Sequence, residues 1–238
     1  AGPLVAAGLL AAGWSVREVI LWTIVPGVLS VLLVAMLREP EGLAVGDGKI
    51  EWQWRNLPAP LKRYLIALGV FTLSQASNMF LLLRAKETGF TDAQIPLLWA
   101  GFSALAMLLS TPLSALSDHV DRRSLLCGAW VVYALLFAAF GLLPSATATT
   151  VALFVGYAVF IAATEGAEKA LIAELAPQAQ VGTAFGWFHL VSGLMLLPAS
   201  ALFGWLWTHA GSTAAFMASA TTSLIAAGLL LRDRQANR

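Results

Sequence analysis

Residues 163–175 read ATEGAEKALIAEL and bring together Glu165, Glu168, Lys169 and Glu174. Only 11% of the chain is charged, and the stretch just before, TVALFVGYAVFIA (150–162), is apolar, so these four groups are the best placed in the sequence to do chemistry. A helix turns by about 100° per residue, which sets Glu165, Glu168 and Lys169 on one face, within an arc of about 100°. Glu165 and Lys169 are an i,i+4 pair with the acid first, the favoured order. Glu165 lies roughly 13 Å along the axis from Glu174. An ionised carboxylate at the depth this gives Glu165 in a bilayer costs several kcal/mol unless it is paired or wetted. Two readings stand. Glu165 and Lys169 form a structural ion pair, or the face borders a water-filled cavity in which Glu165, the deeper acid, or Glu168 binds substrate or carries a coupling proton. Two acids share one base, which leaves a carboxylate over for the second task.

Other polar groups sit inside apolar runs. LSQASNMF (73–80) carries Ser74, Gln75, Ser77 and Asn78, a stripe suited to lining a cavity with substrate or to hydrogen bonding between helices. His189, one helical turn from Ser192, is a further substrate-lining candidate, with packing as its plainer role. Arg84 and Lys86 close the same run as the polar stripe, and a snorkelling role is favoured for Arg84. Cys127, the single cysteine, reads as a small buried apolar residue. The three histidines, His119, His189 and His209, are scattered, so no metal site is expected. A membrane enzyme would group such residues at one interface, and none is expected here. The chain lacks a nucleotide-binding P-loop, no cofactor is implied, and a net charge of +1 with no basic patch gives no reason to expect a nucleic-acid partner.

These residues must be positioned by membrane-spanning helices. Of 238 residues, 59% are hydrophobic and the mean hydropathy is +0.79. Soluble domains are about 45–50% apolar and about 25% charged. Apolar runs of about 20 residues, enough to cross a hydrocarbon core roughly 30 Å thick, recur throughout. The alternating short segments of a β-barrel are absent. The expected fold is therefore all-α, a polytopic bundle of one partial span (1–12) and seven full ones: 19–37, 61–85, 94–117, 123–143, 150–175, 180–208 and 213–231. Residues 38–60 form a polar linker. Its IEWQWRNLPAP segment mixes aromatic and basic residues suited to the headgroup region. Alternate loops hold Arg38, Lys49, Arg55, Lys62, Arg63, Arg122, Arg123, Arg232, Arg234 and Arg238, against Arg17, Arg84 and Lys86 on the other side. The positive-inside rule then places the linker and the C-terminus in the cytoplasm. A faint repeat relates Pro3–Arg38 to Pro198–Arg232, as two copies of one membrane unit would.

Several motifs carry a family resemblance. GPLVAA (2–7) resembles the GPxxGG core of the fifth-helix motif of drug/proton antiporters, with Ala6 and Ala7 in place of glycines. SALSDHVDRR (114–123) is similar to the GxxxDRxGRR loop between helices 8 and 9, matching at Asp118, Arg122 and Arg123 and departing at Ser114, His119 and Asp121. AELAPQAQVGTAFG (173–186) resembles ExxPxxxRG between helices 10 and 11, with Val181 in the arginine position. In order and spacing the chain resembles helices 5–12 of a major facilitator superfamily transporter. The resemblance implies two six-helix halves around a central cavity. Residues 1–37 would end the first half (helices 5–6), 38–60 would be the linker, and 61–238 would be the C-terminal half (helices 7–12). Missing N-terminal helices of the same transporter would complete it. It implies a secondary transporter in the lipid bilayer, of the bacterial inner or plasma membrane, that moves a small-molecule substrate by alternating access. Efflux of a drug-like compound or metabolite is favoured. Protons are the expected coupling ion, carboxylates being the available titrating groups. Asp118, Arg122, Arg123 and Glu174 would form a cytoplasmic gate cluster, made in one conformation and broken in the other. The alternative is a membrane scaffold or interaction subunit that keeps the fold without transporting.

Overall fold

The computed structural model describes residues 2–36, 54–116, 120–144 and 146–236. Helices dominate the described residues, among which there is no strand: α1 (Gly2–Ala11), α2 (Val16–Trp22), α3 (Ile24–Ala35), α4 (Ala59–Ser74), α5 (Asn78–Glu87), α6 (Gln94–Leu116), α7 (Arg122–Leu142), α8 (Thr147–Leu175) and α9 (Val181–Ala236). Most of the 38–60 linker lies outside the described residues. Its last part is a short turn, Trp54–Asn56, with Trp54 edge-on to Trp187 at 5.1 Å.

Among the described residues, six stretches are long and apolar enough to cross a bilayer. The last of them, Gln178–Arg232, has 55 residues and would be roughly 80 Å long if straight, against a hydrocarbon core of about 30 Å. It divides at Gly211, whose φ of 86° and ψ of 164° suit a residue without a Cβ. The two limbs, 181–210 and 212–236, correspond to the two separate spans expected from the sequence. All-α architecture with repeated apolar spans is thus as the composition predicts, and the chain is an integral, multi-pass membrane protein.

Two expected spans are interrupted. The run 19–37 divides into α2 and α3 at Thr23. Pro26 has no N–H for the Trp22 carbonyl four residues back and its ring crowds that carbonyl. The Thr23 hydroxyl turns back to Ile20 O at 2.7 Å. The run 61–85, expected as one helix, breaks between α4 and α5 at residues 75–77, and this second break shapes the candidate site.

Helix association in lipid draws on packing and hydrogen bonds, because lipid tails are as apolar as the side chains. The contacts show it. The first limb of α9 lies on α4 and α5, where Gly69 faces Val191 and Gly204 faces Phe80. The second limb lies on α7, with the Ser223 hydroxyl on Trp130 O at 2.8 Å and the Thr213 hydroxyl on Gly141 O at 2.9 Å. α6 packs on α8 and also receives α1. The middle is aromatic. Phe71 stacks on Trp130 at 4.4 Å, Tyr133 on Phe137 at 4.1 Å and Phe140 on Phe216 at 5.6 Å. Cys127 is buried and unpaired, as expected of a small apolar residue. Met107 and Leu108 on α6 point outward, as lipid-facing residues do.

The glycines of the close contacts differ in what they tolerate. A Cβ at Gly141 would lie 3.0 Å from Phe216 Cβ and 3.3 Å from Thr213 O, atoms close to or within the backbone. A Cβ at Gly156 would meet only a methyl end of Leu136, at 2.8 Å, which can swing aside. Gly141→Ala is therefore expected to destabilise the protein by about 1–3 kcal/mol. Gly156→Ala should cost less, partly offset by alanine's better helix propensity. Thermal unfolding of the purified variants in detergent checks the order.

Candidate functional site

Ser74, Ser77 and Asn78 are short polar residues that offer the backbone alternatives to helical hydrogen bonds, and here the chain takes them. Gln75 is extended, with φ −84° and ψ 102°, and Ser77 follows at φ −53° and ψ 135°. The Ser77 hydroxyl accepts from Met79 N–H at 3.4 Å, capping α5. The Ser74 hydroxyl turns back to Phe71 O at 2.6 Å. In an unbroken helix the Ser74 carbonyl would accept from the Asn78 N–H. Instead it accepts from the Tyr133 hydroxyl of α7, at 2.9 Å. On the other side of the break, the Tyr157 hydroxyl of α8 donates to Asn78 Oδ1 at 3.1 Å. The far end of α5 is held as well. Arg84 Nε donates to Phe140 O at 3.2 Å and pairs with Glu87 at 3.1 Å. The Thr150 hydroxyl bonds that of Thr88 at 3.1 Å.

The break opens on a cavity of about 640 Å³. Gln75, Ala76, Ser77, Asn78 and Met79 form one wall, Trp99 of α6 a second, Tyr157 and Ile161 of α8 a third, and Gly193, Leu196, Leu197 and Ser200 of α9 the last. Four different spans thus converge on it. Trp99, Tyr157 and Ser200 were not singled out in the sequence. An aromatic residue in an apolar span reads as packing, and only the break brings these three to a common space.

The charged stretch of α8 lies below this cavity, toward the Leu175 end. Lys169 Nζ and Glu165 Oε1 are 2.9 Å apart, with both side chains more than half exposed. Glu165 follows Ile161 by one turn, so the pair continues the cavity's α8 wall. Glu168 faces differently. It is half-buried and forms no ion pair or hydrogen bond among the described residues. On α4, Tyr64 is 1% exposed, which buries its hydroxyl. That hydroxyl has no hydrogen-bond partner among the described residues. Thus the three groups expected on one face separate into an exposed pair and an inward acid.

At the end of the bundle, Arg122 Nη1 of α7 and Glu174 Oε2 of α8 are 3.0 Å apart. Arg123 is next to Arg122 at the start of α7, and Asp121 caps that helix through Ser124 N–H at 3.1 Å. Asp118 and His119 lie outside the described residues. Of the expected lining residues, Gln75, Ser77 and Asn78 are on the cavity wall. Ser74 is not. It is buried and spends its polar atoms on the break. His189 is exposed and sits one turn from Gly193, outside the cavity itself.

Tyr133→Phe keeps the ring and removes the donor to Ser74 O, so it is expected to destabilise the protein by about 1–3 kcal/mol. Tyr157→Phe should cost less, since Asn78 is exposed and water can replace the bond. Chemical unfolding of both variants in mixed micelles measures the difference.

Among known proteins, the family model described as Major Facilitator Superfamily matches residues 63–238. An uncharacterised MFS-type transporter of Methanocaldococcus jannaschii is 31% identical over 202 residues, covering 82% of this chain and 50% of its own. The chain thus spans about half the length of that relative. No solved structure matches it.

Proposed function

The chain belongs to the major facilitator superfamily, and on that premise we propose that it forms part of a secondary transporter that moves a small molecule across the membrane by alternating access. The observation that carries this reading is the cavity of about 640 Å³ at the α4–α5 break. It lies between four apolar spans and carries amide and hydroxyl groups. Irregular backbone at membrane depth is tolerated where it is buried in protein or lines a cavity, and broken helices build substrate sites in transporters. A scaffold that only held partners would have no need of such a polar recess.

In this proposal residues 1–37 end the first half of the transporter, 38–60 link the halves, and 61–238 form the second half, completed by further N-terminal helices of the same transporter. The linker and the C-terminus are cytoplasmic, supported by the Lys and Arg distribution. The Arg122–Glu174 pair, with Arg123 and Asp118, closes the cytoplasmic end in one state and parts in the other. Gly2-Pro3 in α1 favours efflux.

Proton coupling is assigned to Glu168. Glu165 has a fixed counter-charge in Lys169 at 2.9 Å, so releasing a proton from it is not needed for charge balance. Glu168 has no such partner and faces inward. Protonated, it is neutral. Ionised, it calls for a donor or water.

The test uses the complete protein in proteoliposomes with an imposed pH gradient and a panel of radiolabelled small metabolites and drug-like compounds. Glu168→Gln is expected to abolish gradient-driven accumulation and to leave gradient-independent exchange of the same compound. Glu165→Gln should slow both without uncoupling them. Gradient-driven accumulation that survives Glu168→Gln would remove Glu168 from the coupling role. A wild-type protein that moves no compound under any gradient would favour the scaffold.

A further inference from the structure

The chemistry of the cavity wall narrows what it can hold. Among the described residues that line it, none is charged. The nearest charges on the α8 wall, Glu165 and Lys169, are bonded to each other at 2.9 Å. Those beyond the other end of α5 are also paired, Arg84 with Glu87 at 3.1 Å and Lys86 with Asp92 at 2.7 Å. An ionic guest would leave water for this wall and find no free counter-charge on it, at a desolvation cost of several kcal/mol.

The wall is also flat and aromatic on one side. Trp99 stacks on Phe102 at 4.6 Å and 24°, and Phe102 on Tyr157 at 5.4 Å and 18°. Tyr157 is buried and already stacks on Phe102 and Phe160, so Trp99, which lines the cavity, is the end of the stack that a guest ring can extend by offset or edge contact.

Beside the rings, two polar groups of the wall, Asn78 and Ser77, are left to donate. The Tyr157 hydroxyl occupies Asn78 Oδ1 at 3.1 Å, which assigns the amide orientation and leaves its two Nδ2 hydrogens to donate. The Ser77 oxygen is used as an acceptor by Met79 N–H, which leaves its O–H to donate.

We infer that the molecule held here is uncharged, carries a planar aromatic ring, and presents a hydrogen-bond acceptor such as a carbonyl to Asn78, with the ring against Trp99. The inference rests on the transporter reading above and adds the substrate class. The volume is of the size that drug-sized ligands occupy. A quaternary ammonium would also be attracted to the ring faces, but the wall supplies no carboxylate to balance it.

Four tritiated probes on one ring test this, by equilibrium dialysis against the complete protein in nanodiscs with empty nanodiscs subtracted. They are methyl naphthyl ketone (neutral, one acceptor), ethylnaphthalene (no acceptor), naphthoate (anion) and naphthyltrimethylammonium (cation). The ketone should bind saturably, about tenfold tighter than ethylnaphthalene for one added hydrogen bond, and tighter still than either ion. Asn78→Leu should reduce the ketone to the level of ethylnaphthalene and leave ethylnaphthalene unchanged, and Trp99→Ala should weaken both. Equal or tighter binding of either ion overturns the inference, as does a ketone preference that survives Asn78→Leu or saturable binding by none of the four. If the proteoliposome assay still shows gradient-driven transport, such a result overturns the substrate class and leaves the transporter reading standing. If transport is absent too, both fall.

Discussion

A carbonyl that loses its helical donor inside a bilayer has no water to turn to, and each such group costs several kcal/mol if left unmet. The structure meets that constraint at Ser74, whose carbonyl accepts the Tyr133 hydroxyl. The other features of the candidate site depend on this bond. It allows α4 to end at Ser74 and α5 to begin at Asn78, and the gap between them is one wall of the cavity. Tyr133 is itself fixed by its place in the aromatic core, against Phe71 and Phe137. The break is therefore built into the packing of α7 and is supported on its far side by Tyr157 and Arg84.

The same economy of polar groups runs through α8. One helix carries the aromatic that stabilises the break, a charged pair on the face that continues below it, and an acid turned inward toward α4. Tyr157, Ile161, Glu165 and Lys169 follow at four-residue steps along one stripe, and Glu168 is off that stripe. A shift of α8 against α4 would change the surroundings of Glu168 and the cavity wall together. This connects the proposed proton site to the proposed substrate site through one rigid element.

Much of this was legible in the sequence. The spans follow from apolar runs that lipid requires, and Gly211 and Pro26 announce their breaks by residue type. The i,i+4 spacing of Glu165 and Lys169 offered their ion pair as one of two readings, and the loop motifs put Arg122 and Glu174 in one cluster, where they lie 3.0 Å apart. The α4–α5 break was not foreseen, because Ser77-Asn78 has the form of a helix start inside a run that hydropathy alone reads as continuous. Capping residues in mid-span were the available signal. The inward turn of Glu168 was not legible either. Helical spacing gives the angle between side chains on one helix but not the direction of the neighbour, and α4 is reached only through the tertiary packing.

For a guest to reach the site from solution, residues 75–77 must break the helix onto a water-accessible cavity. Substituted-cysteine labelling measures this directly in the complete protein, since Cys127 is buried and contributes little background. Ala76→Cys and Ser200→Cys are expected to react with a membrane-impermeant methanethiosulfonate, while Met107→Cys on the lipid-facing side of α6 stays unmodified. An Ala76→Cys variant as inert as Met107→Cys, in folded protein, would mean that the break is sealed from water.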